Sequence, residues 1–107
     1  MFTFILDTLK DQGRGIHAYR SAAKALFEKA AESPDNAAAF YILATSADTF
    51  VDRHERMPMS AHELEDAYNA FQADITDLQA AHDSDDTKAI LATLNRIANA
   101  RARNTAD

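Results

Sequence analysis

Glycine is scarce in this chain: only Gly13 and Gly15 occur among its 107 residues. Tight β-hairpins and phosphate-binding loops depend on glycine because they use backbone conformations with positive φ. Two glycines so close together provide neither a series of hairpins nor a glycine-rich loop. Alanine, the best helix former, instead occupies 23 positions. The sequence therefore predicts an all-α fold.

The length of the chain and its lack of cysteine further restrict the kind of protein it can be. A chain of 107 residues is long enough for one domain to bury a core without cross-links, so we expect residues 1–107 to form a single helical domain. Without cysteine there is no disulfide framework, thiolate metal site or cysteine nucleophile. No serine is paired with a base at a recognisable spacing. We expect neither an enzyme nor a bound cofactor.

Apolar residues recur at helical spacing in four long segments. In the first, over about residues 2–32, a seven-residue repeat links Phe2, Leu9, Ile16, Ala23 and Ala30. Both glycines fall in its middle, and each lowers helix stability by about 1 kcal/mol relative to alanine. We expect either one weakened helix or two helices divided near the glycines, the first being a short extra N-terminal helix.

Caps and prolines delimit the other three segments. Ser33 is expected to cap the second helix, with Pro34 at its first position, and Pro58 is expected to end it. Ser60 and Glu63 form a capping box at the start of the third, and a run of aspartates precedes the fourth. Helices of about 20 residues joined by short links pack against their neighbours in antiparallel pairs. The expected architecture is an antiparallel up-down four-helix bundle.

The apolar stripes of these helices define the expected core. Its large members are Phe2, Ile5, Leu6, Leu9, Ile16, Tyr19, Leu26 and Phe27 in the first segment, Phe40, Leu43, Phe50, Val51 and Met57 on the second helix, Leu64, Tyr68, Phe71, Ile75 and Leu78 on the third, and Ile90, Leu91, Leu94 and Ile97 on the fourth.

Charge is unevenly distributed along the chain. The formal net charge is −6, which disfavours binding to nucleic acid or to anionic lipid. Residues 57–87 contain eight acidic residues and no Lys or Arg, whereas residues 88–107 contain four Lys or Arg and one Asp. Carboxylates in the first turns of helices account for part of this pattern. Asp74 and Asp77 do not, and we expect them to present an acidic surface to a basic partner.

A second expected partner surface is apolar. Ile42 lies opposite the core stripe of its helix, and Phe4 belongs to the apolar N-terminal segment. Together they predict a surface for another protein or for a second copy of the chain. Since no stretch is long and apolar enough to cross a membrane and none resembles a signal peptide, we expect a cytoplasmic protein with no membrane partner. The leading hypothesis is therefore a small acidic regulatory or adaptor-like protein that acts non-catalytically through protein–protein interaction.

A second hypothesis concerns His17 and Arg20. Residues 17–23, His-Ala-Tyr-Arg-Ser-Ala-Ala, resemble the phosphoacceptor stretch of histidine phosphotransfer (HPt) domains. Those domains are acidic four-helix bundles that carry a basic residue three positions, and a glycine four positions, after an exposed histidine. Arg20 occupies the basic position here, whereas Ser21 stands in place of the glycine. The resemblance implies phosphotransfer through His17, with Arg20 neutralising the phosphoryl group.

Binding of a metal or small ligand between helices is the third hypothesis. It requires histidines to converge in space, since neither His-Glu-x-x-His nor the Glu-x-x-His spacing of di-iron bundles occurs. His62 and Asp66 share a helical face but are interpreted as a local first-turn contact. We expect no metal site.

Overall fold

The computed structural model describes residues 1–55 and 57–106, with side chains described for residues 1–55 and 57–103. These residues form five α-helices: α1 (Phe4–Asp11), α2 (Ile16–Glu32), α3 (Ala37–His54), α4 (Ala61–Asp83) and α5 (Thr87–Ala106). A 3₁₀ turn, Pro34–Asn36, leads into α3. No strand occurs within the described ranges, and the all-α prediction is confirmed. The antiparallel up-down order of the four long helices stays a prediction.

The glycines divide the first predicted segment into two helices. Gly13 has φ +87° and Arg14 has φ +61°, so two consecutive residues adopt the left-handed conformation that ends α1. The Arg14 N–H donates to the Leu9 carbonyl oxygen at 2.8 Å, which satisfies one carbonyl at the helix end. Gly15 is extended and precedes α2. The expected short N-terminal helix therefore exists as α1.

The residues before α1 pack against the ends of two other helices. Phe2 is 1% exposed, and its ring contacts Phe40 near the start of α3 and His82 near the end of α4, at centroid distances of 5.2 and 5.8 Å. The Phe2 N–H donates to Gln79 Oε1 at 2.9 Å. The start of α3 and the end of α4 therefore lie at the same end of the molecule.

Two of the expected boundaries of α3 are wrong. Ser33 makes no side-chain capping bond, and a 3₁₀ turn precedes the helix instead. The helix ends at His54, where the Glu55 N–H donates to the Val51 carbonyl oxygen, four residues before Pro58. Met57 consequently lies outside the helix and is 66% exposed, so its predicted place in the core is wrong.

The helix starts of α4 and α5 follow the sequence signals more closely. The Glu63 N–H donates to Ser60 Oγ at 3.1 Å, as the capping box predicts. The Glu63 carboxylate accepts from the Ser60 hydroxyl at 3.3 Å, so the reciprocal half of the box is a side-chain contact. At α5, Asp86 Oδ1 accepts from the Lys88 and Ala89 N–H groups at 3.0 and 3.4 Å.

The core is centred on α2 and α3, the most extensively packed helix pair. Most of the predicted apolar stripes are buried in it; its large members are Phe2, Ile5, Leu9, Tyr19, Leu26, Phe40, Leu43, Val51, Tyr68, Phe71, Ile75, Leu78 and Ile97. Phe27 and Leu91, both expected in the core, are exposed. Helix α5 is the least buried long helix, since Ile97 is the one fully buried hydrophobic residue among its described side chains.

Candidate functional site

The acidic surface expected on α4 is largely covered by α5. Asp74 is buried, with 6% of its surface exposed. Arg101 Nη2 donates to Asp74 Oδ2, and Arg96 Nη2 lies 3.5 Å from Asp74 Oδ1. Arg96 also donates to Asp77 Oδ2 at 2.9 Å. The expectation that Asp74 is exposed to a partner is therefore wrong, because its carboxylate is sequestered between arginines of the neighbouring helix.

This ion-pair cluster holds α5 in place. A buried carboxylate is stable only if hydrogen bonds and opposite charge replace its lost hydration, which the two guanidinium groups do for Asp74. Asp77 remains exposed, so its pair with Arg96 is screened by water and contributes little to stability. Part of the charge difference between residues 57–87 and 88–107 is thus used within the protein, because carboxylates of α4 pair with arginines of α5.

The apolar surface expected at Phe4 and Ile42 is also turned inward. Both side chains are half-buried and pack against the core. Ile42 is therefore not fully outward-facing, because part of its side chain packs against the core. The limited exposure of Phe4 and Ile42 does not support a partner interface at these residues. Substitution by Asp at either position would place a charge against the core and disturb the fold itself.

His17 and Arg20 lie on the exposed side of α2. His17 is exposed in the first turn of the helix, as a phosphoacceptor must be. Arg20 is exposed as well, but its Nη2 pairs with Glu55 Oε1 at 3.0 Å. A phosphoryl group on His17 therefore has to compete with the Glu55 carboxylate for the Arg20 guanidinium.

The histidines do not gather into a metal centre in the described part of the chain. No group of three or more His, Asp or Glu side chains lies close enough there to hold a metal ion. His62 Nε2 lies 3.3 Å from Asp66 Oδ2, and both side chains are exposed. This is the local contact along one helix turn that the spacing indicates.

The exposed aromatic rings of Phe27 and Tyr41 form a surface that the sequence did not predict. The rings, from α2 and α3, meet edge to face with centroids 5.7 Å apart and planes at 70°. Tyr41 is 58% exposed and Phe27 36%. Four alanines line the depression beside the rings: Ala30, Ala31, Ala37 and Ala38. We call these six residues the aromatic–alanine surface.

Helical geometry explains why the prediction that Phe27 lies in the core is wrong. Leu26 and Phe27 are both apolar and adjacent, but successive residues point about 100° apart on a helix, so both cannot occupy the centre of one face. Leu26 is fully buried and Phe27 lies at the edge. The sequence did contain a signal for this surface: residues 26–27 and 40–43 are all apolar, which is more than one narrow core stripe on each helix can bury.

No helix in the described ranges is both long and apolar enough to cross a bilayer. No protein-family model, curated protein or solved structure matches this chain.

Proposed function

We propose that the protein acts non-catalytically through protein–protein interaction, that the aromatic–alanine surface is its binding face, and that a second copy of the chain is the partner. The observation that carries this proposal is the exposed edge-to-face pair of Phe27 and Tyr41. The proposed compartment is the cytoplasm.

The two rings have the properties of interface anchors. Aromatic side chains are enriched at the centres of protein interfaces because each buries a large area with few rotatable bonds. Phe27 and Tyr41 already hold each other in place through their ring contact, so binding costs less side-chain entropy. The Tyr41 hydroxyl is able to find a polar partner at the rim.

The shape of the surface favours a second copy. A two-fold interface needs one patch that is complementary to itself. Here two exposed rings and four alanines line one shallow depression, and the proposal places the rings of one copy over the alanines of the other. None of the six residues is charged, so the contact buries no ionised group.

The scaffold proposed for this surface is the up-down four-helix bundle. Its support comes from contacts between opposite ends of consecutive helices. The ring of Tyr19, near the start of α2, stacks on that of Phe50, near the end of α3, at 3.8 Å. Phe2 links the start of α3 to the end of α4 through Phe40 and His82. In this arrangement α2 and α3 present the aromatic–alanine surface side by side.

Sedimentation velocity from micromolar to millimolar protein tests the proposal. We expect a concentration-dependent dimer that Tyr41→Ser weakens at least about fivefold, because an exposed aromatic anchor is lost. Leu91→Ser is the matched control, since Leu91 is also 58% exposed but lies on α5. A strict monomer over the whole range, or equal weakening by both substitutions, contradicts self-association through this surface.

Phosphotransfer through His17 is the second candidate, favoured by the exposure of its imidazole one helical turn from Arg20. A phosphodonor kinase would transfer a phosphoryl group to the imidazole nitrogen, and Arg20 would have to leave Glu55 to stabilise it. Incubation with such a kinase tests this candidate. Label that persists in His17→Ala, or no label in the unaltered protein, rejects it.

A further inference from the structure

A histidine and two methionines line one open depression beyond the end of α3. His54 is the last residue of that helix, and Met57 and Met59 follow it on either side of Pro58. The other lining residues come from the start of α2, the end of α3 and the first turn of α4; they are Gly15, Ile16, Glu55 and Leu64. The depression shares no residue with the aromatic–alanine surface and does not depend on the proposed dimer.

A backbone hydrogen bond keeps Met57 beside His54. The Met57 N–H donates to the His54 carbonyl oxygen at 3.3 Å. Residues three apart that are joined in this way have Cα atoms within about 7 Å of each other. Pro58 has a fixed φ, so it restricts the path of the chain from Met57 to Met59. Because a methionine side chain is unbranched and flexible, both sulfur atoms are able to reach an ion held by the His54 imidazole.

The imidazole of His54 is oriented by packing and is available to a ligand. It is half-buried, and its ring centroid lies 4.9 Å from that of Phe50. Among the described residues this side chain makes ring contacts and neither a hydrogen bond nor an ion pair. A ring that is already held in place loses little side-chain entropy when it binds an ion.

The donor atoms of this depression suit a soft metal ion. The Glu55 carboxylate is already engaged, since its Oε1 accepts from Arg20 Nη2 at 3.0 Å. The remaining donors are one imidazole and two thioethers. Thioether sulfur is a soft ligand that suits Cu(I), and imidazole also binds copper, whereas Mg²⁺ and Ca²⁺ take oxygen ligands. This set differs from the clusters of His, Asp and Glu that the described residues do not form, because two of its three donors are sulfur atoms.

We propose that His54, Met57 and Met59 bind one Cu(I) ion through an imidazole nitrogen and two thioether sulfurs. All three side chains bind as neutral groups, and the ion keeps its oxidation state. The apolar side chains of Ile16 and Leu64 favour a monovalent ion, because the cost of removing an ion from water rises steeply with its charge. The bound ion ties the segment after α3 to the end of that helix.

The three methionines of the chain provide an internal control for the test. Ag(I) has the charge and softness of Cu(I) without its sensitivity to air, so it is titrated into protein labelled at the methionine methyl groups and followed by NMR. We expect the signals of Met57 and Met59 to shift up to one equivalent of Ag(I), and that of Met1 to stay in place. Zn²⁺ should move none of them, because its sites use thiolate, imidazole and carboxylate ligands. Equal shifts of all three signals, no shift, or the same response to Zn²⁺ overturns the proposal.

Variants then test the donors with Cu(I) itself, by anaerobic competition against the coloured chelator bicinchoninate. Met57→Leu, Met59→Leu and His54→Phe each keep an apolar or aromatic side chain and remove one donor. Each should weaken Cu(I) binding at least about tenfold, since even the outer-shell partners of metal ligands change affinity by about that factor. The control is His62→Gln at an exposed position of α4, which should leave the affinity unchanged.

Met57 is 66% exposed, so its substitution leaves the core intact even if His54→Phe alters packing. Unchanged affinity in Met57→Leu, or equal loss in His62→Gln, places any bound Cu(I) elsewhere and overturns the assignment.

Discussion

Asp74 on α4 and Arg101 on α5 form an ion pair in which the carboxylate is buried and the guanidinium is one-third exposed. Arg96 approaches the same carboxylate at 3.5 Å from one and a half turns earlier on α5. Because α5 buries little apolar surface, we expect this cluster to help fix its position along α4. Removing Arg101 and removing Asp74 should therefore change stability by different amounts, because Asp74 is buried whereas Arg101 is partly exposed to water.

Arg101→Gln should destabilise the protein by about 2 kcal/mol, because it leaves a buried carboxylate with a weaker partner; the figure is reduced from the value for a fully buried pair since Arg101 is partly exposed. Urea denaturation monitored by circular dichroism measures the difference. The control is Arg103→Gln on the same helix, with an expected change under about 0.5 kcal/mol. Equal effects of the two substitutions would show that the Asp74 pair does not contribute specifically.

Local signals in the sequence predicted some helix boundaries, although Ser33 and Pro58 gave the wrong ones for α3. The bond from the Glu63 N–H to Ser60 is confirmed, and of the two alternatives that the glycines left open the structure shows the break at Gly13; both features depend on residues within one or two turns of each other. The burial of Asp74 depends instead on which face of α5 meets α4, and that is decided by packing. A charged residue in the sequence therefore indicates an exposed position only if no neighbouring helix of opposite charge covers it.

A cavity lined by side chains of α2, α3, α4 and α5 could not be predicted from the sequence, for a related reason. Tyr19, Arg53, Phe71 and Arg101 lie on four different helices, so no spacing along the chain connects them. Tyr19 and Phe71 each fit a core stripe, and both are indeed buried. Nothing in a stripe distinguishes a tyrosine whose hydroxyl has a hydrogen-bond partner from one whose hydroxyl, like that of Tyr19, has none among the described residues.

Gly13 and Gly15 should respond differently to alanine. Gly13→Ala places a side chain at φ +87°, which costs about 1 kcal/mol even though the space around it is open. Gly15 has φ −94° and equally open surroundings, so Gly15→Ala should be neutral or slightly stabilising. Thermal unfolding of the two variants compares them directly. The same loss of stability in both would mean that the α1–α2 junction is sensitive to any side chain.

Tyr19 should make the protein less stable at high pH. Its pKa is raised from 10.0 in the unfolded chain to about 12 in the folded state, mainly by burial. The folded state therefore retains a proton that the unfolded state loses, and stability falls as pH rises from about 10 to 12, by about 2 to 3 kcal/mol in all. Tyr19→Phe should flatten this part of the pH profile, and Tyr41→Phe, at an exposed position, should not. A wild-type slope that Tyr19→Phe leaves intact assigns the titration to another group.

Self-association should strengthen with salt. Two copies with a formal charge of −6 each repel one another, while the six residues of the aromatic–alanine surface carry no charge. Added salt screens the repulsion and leaves the apolar contact intact, so the dimer dissociation constant should fall several-fold between low and physiological ionic strength. Sedimentation at a series of NaCl concentrations measures this dependence, and Tyr41→Ser should dimerise at least about fivefold more weakly than the unaltered protein at each of them. Dissociation on adding salt would indicate an interface of ion pairs instead.

Helix α5 should open before the other long helices. On α5, Ile97 is fully buried but Leu91 is 58% exposed, whereas α2 has several fully buried residues. Since local opening costs less where fewer apolar contacts are lost, amide hydrogens in the middle of α5 should exchange at least about tenfold faster than those of α2. Ile97→Ala should widen this difference because it removes the main apolar anchor, whereas Leu91→Ala should leave it unchanged. Hydrogen exchange followed by mass spectrometry resolves the helices, and equal protection of α5 and α2 would mean that the ion pairs of Asp74 close α5 as firmly as a packed core does.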